Sequence, residues 1–73
     1  MNWQDKLAIL KFEGFDVHQT RRWKPESKEF FRYVCEISDD HPLYGAGDTK
    51  AEAVNNAWKA YVREKNYEET SKH

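Results

Sequence analysis

The sequence lacks a second cysteine, a long apolar segment and a clear excess of charge of either sign. Cys35 is the only cysteine, so the chain forms no intramolecular disulfide, and a secreted fold held by disulfides is excluded. The longest apolar run, Leu7–Leu10, is far shorter than the roughly 20 residues needed to span a bilayer. Residues 1–5 contain no basic signal-peptide region. We therefore expect a cytoplasmic protein that binds no membrane.

Charge is nearly balanced over the chain but unevenly distributed. Twelve lysines and arginines against thirteen aspartates and glutamates leave a net charge of −1, which removes the simplest electrostatic argument for nucleic-acid binding. Residues 17–32 nevertheless contain five cations and only two carboxylates, an excess of three positive charges that leaves −4 for the rest of the chain. We expect one basic segment on an otherwise acidic protein.

The chain is short but rich in aromatic residues. At 73 residues it forms one domain, because a chain of this size buries only about 60% of its unfolded surface. Three Trp, four Tyr and four Phe add apolar area, since each ring buries roughly 150–250 Å². We predict one domain over residues 1–65 and a frayed polar tail over residues 66–73.

Helices are predicted at both ends of the chain. Apolar residues recur at helical spacing from Trp3 to Leu10, Asn2 stands at the N-cap position, and Gly14 is suited to end the helix, with Phe15 folding back on Leu10. These signals predict a helix over residues 3–13. Residues 49–52 form a capping box that opens a second helix. Its apolar stripe comprises Val54, Trp58 and Tyr61, flanked by Ala53, Ala57 and Ala60.

Three strands are predicted between the helices. Residues 15–23 and 29–38 form two strands joined by a turn at Lys24–Lys28, and residues 43–47 form a third, whose glycines permit close approach of a neighbouring backbone. Within the second strand two sets of side chains alternate. We expect one set to face the core: Phe31, Tyr33, Cys35 and Ile37. We expect the other set to face solvent: Phe30, Arg32, Val34 and Glu36.

The elements define an α+β fold in the order α-β-β-β-α. Its three-stranded antiparallel sheet has both helices packed on one face and the other face open to solvent. This order, with the residues that lead into the second helix, resembles the double-stranded RNA-binding domain. The matching residues are Gly45, Gly47, Thr49, Lys50, Ala53 and Ala57. The resemblance implies that Lys50 binds phosphate across a major groove. Ala51 and Val54 stand where further lysines of that family are expected, and Lys24–Lys28 lacks the glycine and histidine of its minor-groove loop.

Residues 45–57 are also similar to a segment of HicB-type antitoxins, in which a strand likewise enters a capped helix. A sharp turn from a strand into an alanine-faced helix needs small residues and a capping hydroxyl, so both similarities have one physical cause. In size and composition the chain is similar to small phage and prophage proteins.

Two functions stay open, both non-catalytic. In the first, the chain is a small regulator or adaptor that binds a protein partner by means of the open sheet face and the basic hairpin (residues 17–32). The partner could also be a second copy of the chain, bound through an edge strand. The predicted contact residues are Arg21, Arg22, Trp23, Lys24, Lys28, Phe30, Arg32 and Val34. In the alternative, the chain binds double-stranded RNA through phosphate contacts. Those contacts would come from Lys50, Arg21, Arg22, Lys24 and Lys28. The basic hairpin is equally consistent with solvated charges balanced by Glu26 and Glu29.

Residues that carry chemistry in other proteins are expected to be structural here. Cys35 shares a strand face with apolar neighbours, which favours burial over reactivity. His18 and His41 lack metal-ligand spacing. Residues 38–41 combine Ser, Asp and His, but consecutive side chains in a turn point apart and form no relay. We expect no enzyme activity, cofactor, metal or small-molecule substrate.

Overall fold

The computed structural model describes residues 1–21, 23–24, 29–30, 32–38 and 40–71, and the side chains of residues 23–24, 29–30 and 66–71 lie outside that description. It contains two helices and five strand segments. The helices are α1 (Trp3–Phe12) and α2 (Lys50–Ser71). The strands are β1 (Asp16–Gln19), β2 (Trp23–Lys24), β3 (Glu29–Phe30), β4 (Tyr33–Glu36) and β5 (Tyr44–Gly47).

The predicted α+β architecture is confirmed. Strands β1, β4 and β5 form a three-stranded sheet in the order β1-β4-β5, and both pairings are antiparallel. The short strands β2 and β3 pair with each other and extend the hairpin between β1 and β4. Both helices pack against the same face of the sheet, where the main cluster of buried apolar residues lies. The order is therefore helix, three-stranded antiparallel sheet, helix.

The two long strands of the predicted hairpin are each divided in two, and the pairing register changes between the parts. The Thr20 amide donates to the Arg32 carbonyl (2.9 Å), whereas Trp23 pairs with Phe30. Three steps along the first strand thus face two along the second. Strict alternation of faces therefore does not carry over from one part of the hairpin to the other.

The ends of α1 follow the prediction closely. Asn2 Oδ1 accepts a hydrogen bond from the Asp5 amide (2.9 Å), which satisfies one of the free amides of the first turn. Gly14 has a φ of +97°, and the Phe15 amide donates to the Leu10 carbonyl (3.1 Å). This is the backbone pattern of a Schellman motif. It turns the chain back and buries the Phe15 ring.

The capping of α2 is confirmed in part. Thr49 Oγ1 accepts from the Glu52 amide (3.1 Å), as expected for a capping box. The Glu52 carboxylate, however, accepts from the Asp48 amide (3.4 Å) instead of the Thr49 amide. The helix then runs to Ser71, beyond the end of its apolar stripe, because lysines and glutamates favour helix without packing. No helix in the described part of the chain is long and apolar enough to cross a membrane.

The core lies between the sheet and the two helices. Its buried members come from α1, the turn after it, β4 and α2: Leu10, Phe15, Cys35, Ala53, Val54 and Ala57. The prediction that Cys35 is a core residue is confirmed. At Gly45 a Cβ atom would collide with the backbone of Ala53 and Ala57 on α2. The predicted close backbone approach is therefore real, and it brings β5 almost into contact with the helix.

Three predictions about side-chain exposure on the second strand are wrong. Glu36 was expected to face solvent, but it is only 5% exposed. Val34 was expected on an open face, but it has 0% exposed surface; its neighbours across the sheet are His18 on β1 and Ala46 on β5. Ile37 was expected in the core, but it is 39% exposed, because β4 ends at Glu36. Phe31, also predicted to face the core, lies outside the described residues.

Side chains engage peptide groups at both outer edges of the sheet. The Thr20 amide bonds to the carbonyl of Arg32, just before β4, so alternation turns the peptide groups of Val17 and Gln19 outwards. The Val17 amide donates to the Asp16 carboxylate (2.9 Å), and His18 Nδ1 lies 3.0 Å from the Gln19 carbonyl. At the other edge, Asn56 of α2 donates to the Ala46 carbonyl of β5 (2.8 Å). These contacts occupy groups that an added strand would need.

Candidate functional site

Three cations predicted as contact residues lie at one end of the three-stranded sheet. The Arg32 amide donates to the Gly47 carbonyl (3.2 Å) at the end of β5, and Lys50 begins α2 three residues later. Arg21 directly follows Thr20, which pairs with Arg32. All three cationic residues are exposed. We call Arg21, Arg32 and Lys50 the basic end.

Other predicted contact residues cannot be placed in the same way. Arg22 and Lys28 lie outside the described residues, and so do the side chains of Trp23, Lys24 and Phe30. Val34 is described, but it is fully buried and offers no surface to a partner. Of the residues proposed for the sheet face and the hairpin, the described and accessible ones are therefore Arg21 and Arg32.

Carboxylates accompany the cations at the basic end. The Asp48 amide donates to Glu52, and Thr49 accepts from the amide of Glu52, so the first turn of α2 is already occupied by its own capping groups. A phosphate at this helix end would have to replace a carboxylate that serves the same role. Asp48 and Glu52 are exposed and offset most of the positive charge nearby.

The outer face of the sheet presents a histidine and a buried carboxylate. His18 Nε2 lies 3.1 Å from Glu36 Oε1, with 51% of the His18 side chain and 4% of the Glu36 side chain exposed. The other ring nitrogen of His18 faces the Gln19 carbonyl. Both neighbours are oxygen acceptors, so a doubly protonated ring donates to both. Tyr44, 48% exposed, lies beyond Glu36 on β5.

An open groove of about 340 Å³ lies at the opposite end of the sheet. It forms where α1 ends, β1 begins, β4 ends and β5 begins. Its apolar floor comprises Phe15, Ile37, Leu43 and Tyr61, which we call the end groove. Its polar rim comprises Glu13, His41, Glu64 and Lys65. The groove thus combines an apolar centre with charges of both signs.

Ring contacts hold the floor of the end groove in place. The Phe15 ring meets the Tyr61 ring edge to face, with centroids 6.3 Å apart at 83°, and meets the His41 ring at 6.5 Å and 70°. Tyr61 Oη donates to Glu13 Oε1 (3.3 Å), and Lys65 Nζ lies 5.2 Å from the Tyr61 ring centroid. Edge-to-face pairs add to the energy of area burial. The groove is therefore a preformed feature.

Sequence analysis did not identify the end groove. Its floor is assembled from positions 15, 37, 43 and 61, which belong to α2 and to three segments around the sheet. No short motif marks it. The one local signal is the Schellman turn, because the return of Phe15 towards Leu10 places the Phe15 ring on the floor of the groove.

The residues with reactive side chains are arranged as structural groups. Burial raises the pKa of the Cys35 thiol to about 11, with a smaller contribution from the nearby carboxylates of Asp16 and Glu36. Ser38 donates to Asp40 (2.8 Å), and this hydrogen bond lowers the pKa of the Asp40 carboxyl. His41 Nδ1 accepts from the Leu43 amide (3.1 Å) and is not directed at Ser38. Among the described residues, no cluster of three or more His, Cys, Asp and Glu could hold a metal ion.

The order of helices and strands is compatible with the fold of the double-stranded RNA-binding domain. No protein-family model matches the chain, and neither a curated protein nor a solved structure is significantly similar to it. The common ground with that family is therefore the element order and the three-stranded antiparallel sheet. Membership of that family, or of the HicB family, is not shown by any sequence relationship.

Proposed function

We propose that this chain is a non-catalytic regulator or adaptor that binds a protein partner, and that the end groove accepts an apolar side chain of that partner. The observation that carries the proposal is the groove itself, an opening of about 340 Å³ with Phe15, Ile37, Leu43 and Tyr61 on its floor. Concave surfaces with aromatic floors and polar rims are typical of recognition sites.

The end groove replaces the sheet face as the favoured contact surface. A protein interface needs exposed apolar anchors. Val34, the described apolar residue among those predicted for the open sheet face, has none of its surface exposed. Ile37, by contrast, is 39% exposed and lines the groove. An anchor inserted beside Ile37 would displace water from apolar surface on both sides, which is the main favourable contribution to association.

The rim of the groove suggests the chemistry of the partner. Glu13 and Glu64 provide two carboxylates, against the cation of Lys65. Glu13 already accepts from Tyr61, but a carboxylate has capacity for several hydrogen bonds. We expect the partner segment to carry an apolar anchor next to a lysine or arginine. Complementary rim charge mainly affects the rate and specificity of binding.

The test is capture of partners from lysate with matched isoleucine variants. Ile37→Ser removes apolar surface from the groove, whereas Ile9→Ser removes it from the outside of α1, where Ile9 is 38% exposed. We expect the wild type and Ile9→Ser to retain the same protein, and Ile37→Ser to lose it. Circular dichroism of each variant establishes that the fold is kept. Retention of every partner by a folded Ile37→Ser variant would contradict the proposal.

Binding of double-stranded RNA is a second candidate. It is favoured by the pairing of Arg32 with Gly47, which supports a continuous basic end with Arg21 and Lys50. The small number of cations limits the affinity, because each phosphate contact contributes through counterion release. Two or three contacts give micromolar or weaker binding with a shallow salt dependence.

The RNA candidate is tested by titration into labelled duplex RNA, duplex DNA and single strands at about 50 and 200 mM salt. We expect salt-sensitive preference for duplex RNA, lost in Lys50→Glu. The matched control is Lys59→Glu, since Lys59 is also an exposed lysine of α2 but lies farther along the helix. Absence of binding at the lower salt concentration would exclude this function.

A further inference from the structure

Two columns of side chains run next to each other along the middle of α2. Trp58 and Val62, one helical turn apart, form an apolar column, and both are half-buried. Lys59 and Arg63, also one turn apart, form a basic column beside it, and both are exposed. Together the four side chains line a shallow, open depression of about 500 Å³, which we call the α2 depression.

The Trp58 ring is held in place from the side of the core. It packs against the cluster of buried apolar residues, and its centroid lies 5.8 Å from that of the Tyr61 ring, with the two planes tilted by 37°. The apolar part of the α2 depression therefore exists before a partner binds. Such preorganisation reduces the entropy that binding would otherwise cost.

The two cations of the α2 depression have no carboxylate to balance them. Neither Lys59 nor Arg63 forms an ion pair within the described part of the chain. The natural partners on a helix lie three and four residues away, and the sequence has no Asp or Glu at those distances from either residue. Lys59 and Arg63 are themselves four residues apart, and like charges at this spacing destabilise a helix. An anion bound between them removes that repulsion.

We propose that the α2 depression binds an acidic amphipathic helix of a protein partner. Apolar side chains of that helix cover Trp58 and Val62, and its carboxylates pair with Lys59 and Arg63. The spacing is suitable, because each column repeats after a rise of about 6 Å, which is also the distance between positions i and i+4 of a second helix. Trp and Arg are moreover among the residue types that most often anchor protein interfaces.

The α2 depression is separate from the end groove, although α2 contributes to both. Tyr61, Glu64 and Lys65 are the α2 residues of the end groove, whereas four other residues line the α2 depression. The two surfaces also differ in charge, because two carboxylates lie on the rim of the end groove and none lines the α2 depression. The segment expected in the end groove carries a cation, so the acidic helix is a different segment.

A nucleic acid fits the α2 depression less well than an acidic protein segment does. Single strands bind to several aromatic rings, on which bases stack, and to cations that follow the backbone. The α2 depression has one ring and two cations, and the net charge of −1 on the chain does not attract a polyanion. Carboxylates next to apolar side chains, by contrast, match both columns.

The small size of the α2 depression predicts weak binding. Exposed ion pairs contribute little to affinity, so most of it comes from covering the apolar column. We expect a dissociation constant of about 0.1–1 mM for a single short helix.

Titration with a designed peptide, followed by NMR, tests the proposal. The probe is a helical peptide in which leucines recur every fourth residue and glutamates flank them on both sides. In the control peptide a lysine replaces each glutamate. We expect the acidic peptide to shift the indole N–H signal of Trp58 and the Nε–H signal of Arg63, and the lysine peptide to bind at least about tenfold more weakly.

Matched charge reversals locate the binding surface. Arg63→Glu should weaken binding of the acidic peptide at least about fivefold and strengthen binding of the lysine peptide. Lys11→Glu makes the same change of charge at an exposed position of α1 and should alter the affinity less than about twofold. Circular dichroism establishes that both variants keep the fold.

Three results would refute the acidic-helix site. The first is no binding of the acidic peptide at about 1 mM, and the second is an equal loss of affinity in Arg63→Glu and Lys11→Glu. The third is a different occupant. Tighter binding of a single-stranded oligonucleotide, lost in Arg63→Glu, would identify a nucleic-acid surface, and self-association of the chain, lost in Arg63→Glu, would identify a second copy.

Discussion

Replacing Gly45 with alanine tests how closely β5 approaches α2. The added Cβ would overlap the Ala57 nitrogen, the Ala53 oxygen and the Asn56 carbonyl carbon, all of them backbone atoms. No side-chain rotation relieves such an overlap. Gly45 is also paired with Cys35 in the central strand, so β5 cannot move away from the helix without disturbing the sheet.

The expected cost follows from overpacking. Extra atoms in a packed core cost about 1–3 kcal/mol and occasionally more, and an overlap with backbone on one whole side belongs at the upper end. The reduced entropy of an unfolded chain with alanine offsets about 0.4–1 kcal/mol. We expect a net loss of about 2–3 kcal/mol. For a domain of this size each kcal/mol lowers Tm by roughly 4–8 °C, so the expected decrease is about 10–20 °C.

Urea and thermal unfolding followed by circular dichroism measure this loss. The matched control is Gly47→Ala, whose Cβ would meet the Cβ, Cγ and Cδ atoms of Glu52. Rotation of the exposed Glu52 side chain relieves the overlap with its Cγ and Cδ atoms. The Cβ atom of Glu52 must shift with its backbone, and we expect a smaller cost than for Gly45→Ala, where every overlap is with backbone. If Gly45→Ala is as stable as the wild type, or costs no more than Gly47→Ala, the close approach of β5 and α2 is wrong.

Three further predictions concern single groups. Asn2→Ala removes the side chain that caps the Asp5 amide and should lower the free energy of unfolding by about 1 kcal/mol in urea titrations; no change would show that the cap is not formed. Asn56→Ala removes the hydrogen bond to the Ala46 carbonyl and should cost about 0.5–1.5 kcal/mol by the same measurement, with an unchanged midpoint as the contrary result. The third is a pH effect. Because burial raises the pKa of Cys35 from 9.0 to about 11, the folded thiol keeps its proton while the unfolded thiol loses it. The stability is therefore fully present below pH 9 and falls by up to about 2–3 kcal/mol as the pH rises to 11. Between pH 9 and 11 the free energy of unfolding should fall more steeply with pH in the wild type than in Cys35→Ala. Equal slopes for the two proteins would contradict the burial of the thiol.

The beginning and end of α1 and the beginning of α2 were predictable because they depend on near neighbours. Asn2 caps an amide three residues away, and Gly14 ends α1 by turning Phe15 back to Leu10. Thr49 likewise caps the amide three residues after it. Contacts over so short a range are dictated by local residue types and by the few backbone conformations that each allows. The order of helices and strands was predictable for the same reason, because hydrophobic spacing and turn residues are also local features of the sequence.

The faces of the hairpin were predicted with less success. Alternation placed Cys35 in the core, and it is buried there. The same alternation left Val34 open to solvent, although it is fully buried. Alternation states which side of a sheet a residue occupies, but it contains no information on what covers that side. It also fails where the register shifts by one residue, as between the Thr20–Arg32 and Trp23–Phe30 pairs.

By itself the sequence determined the α+β class, where α1 begins and ends, where α2 begins, and that Cys35 belongs to the core. These properties follow from residue types and spacing along a few turns of chain. The tertiary structure decided which surfaces are available: it closed the outer face at Val34 and formed the end groove from distant segments. It also left Phe12 in solvent, since only Trp3, Leu7 and Leu10 of α1 pack on the core. The physical reason is that exposure depends on which remote residues pack over a side chain, and no local pattern specifies them.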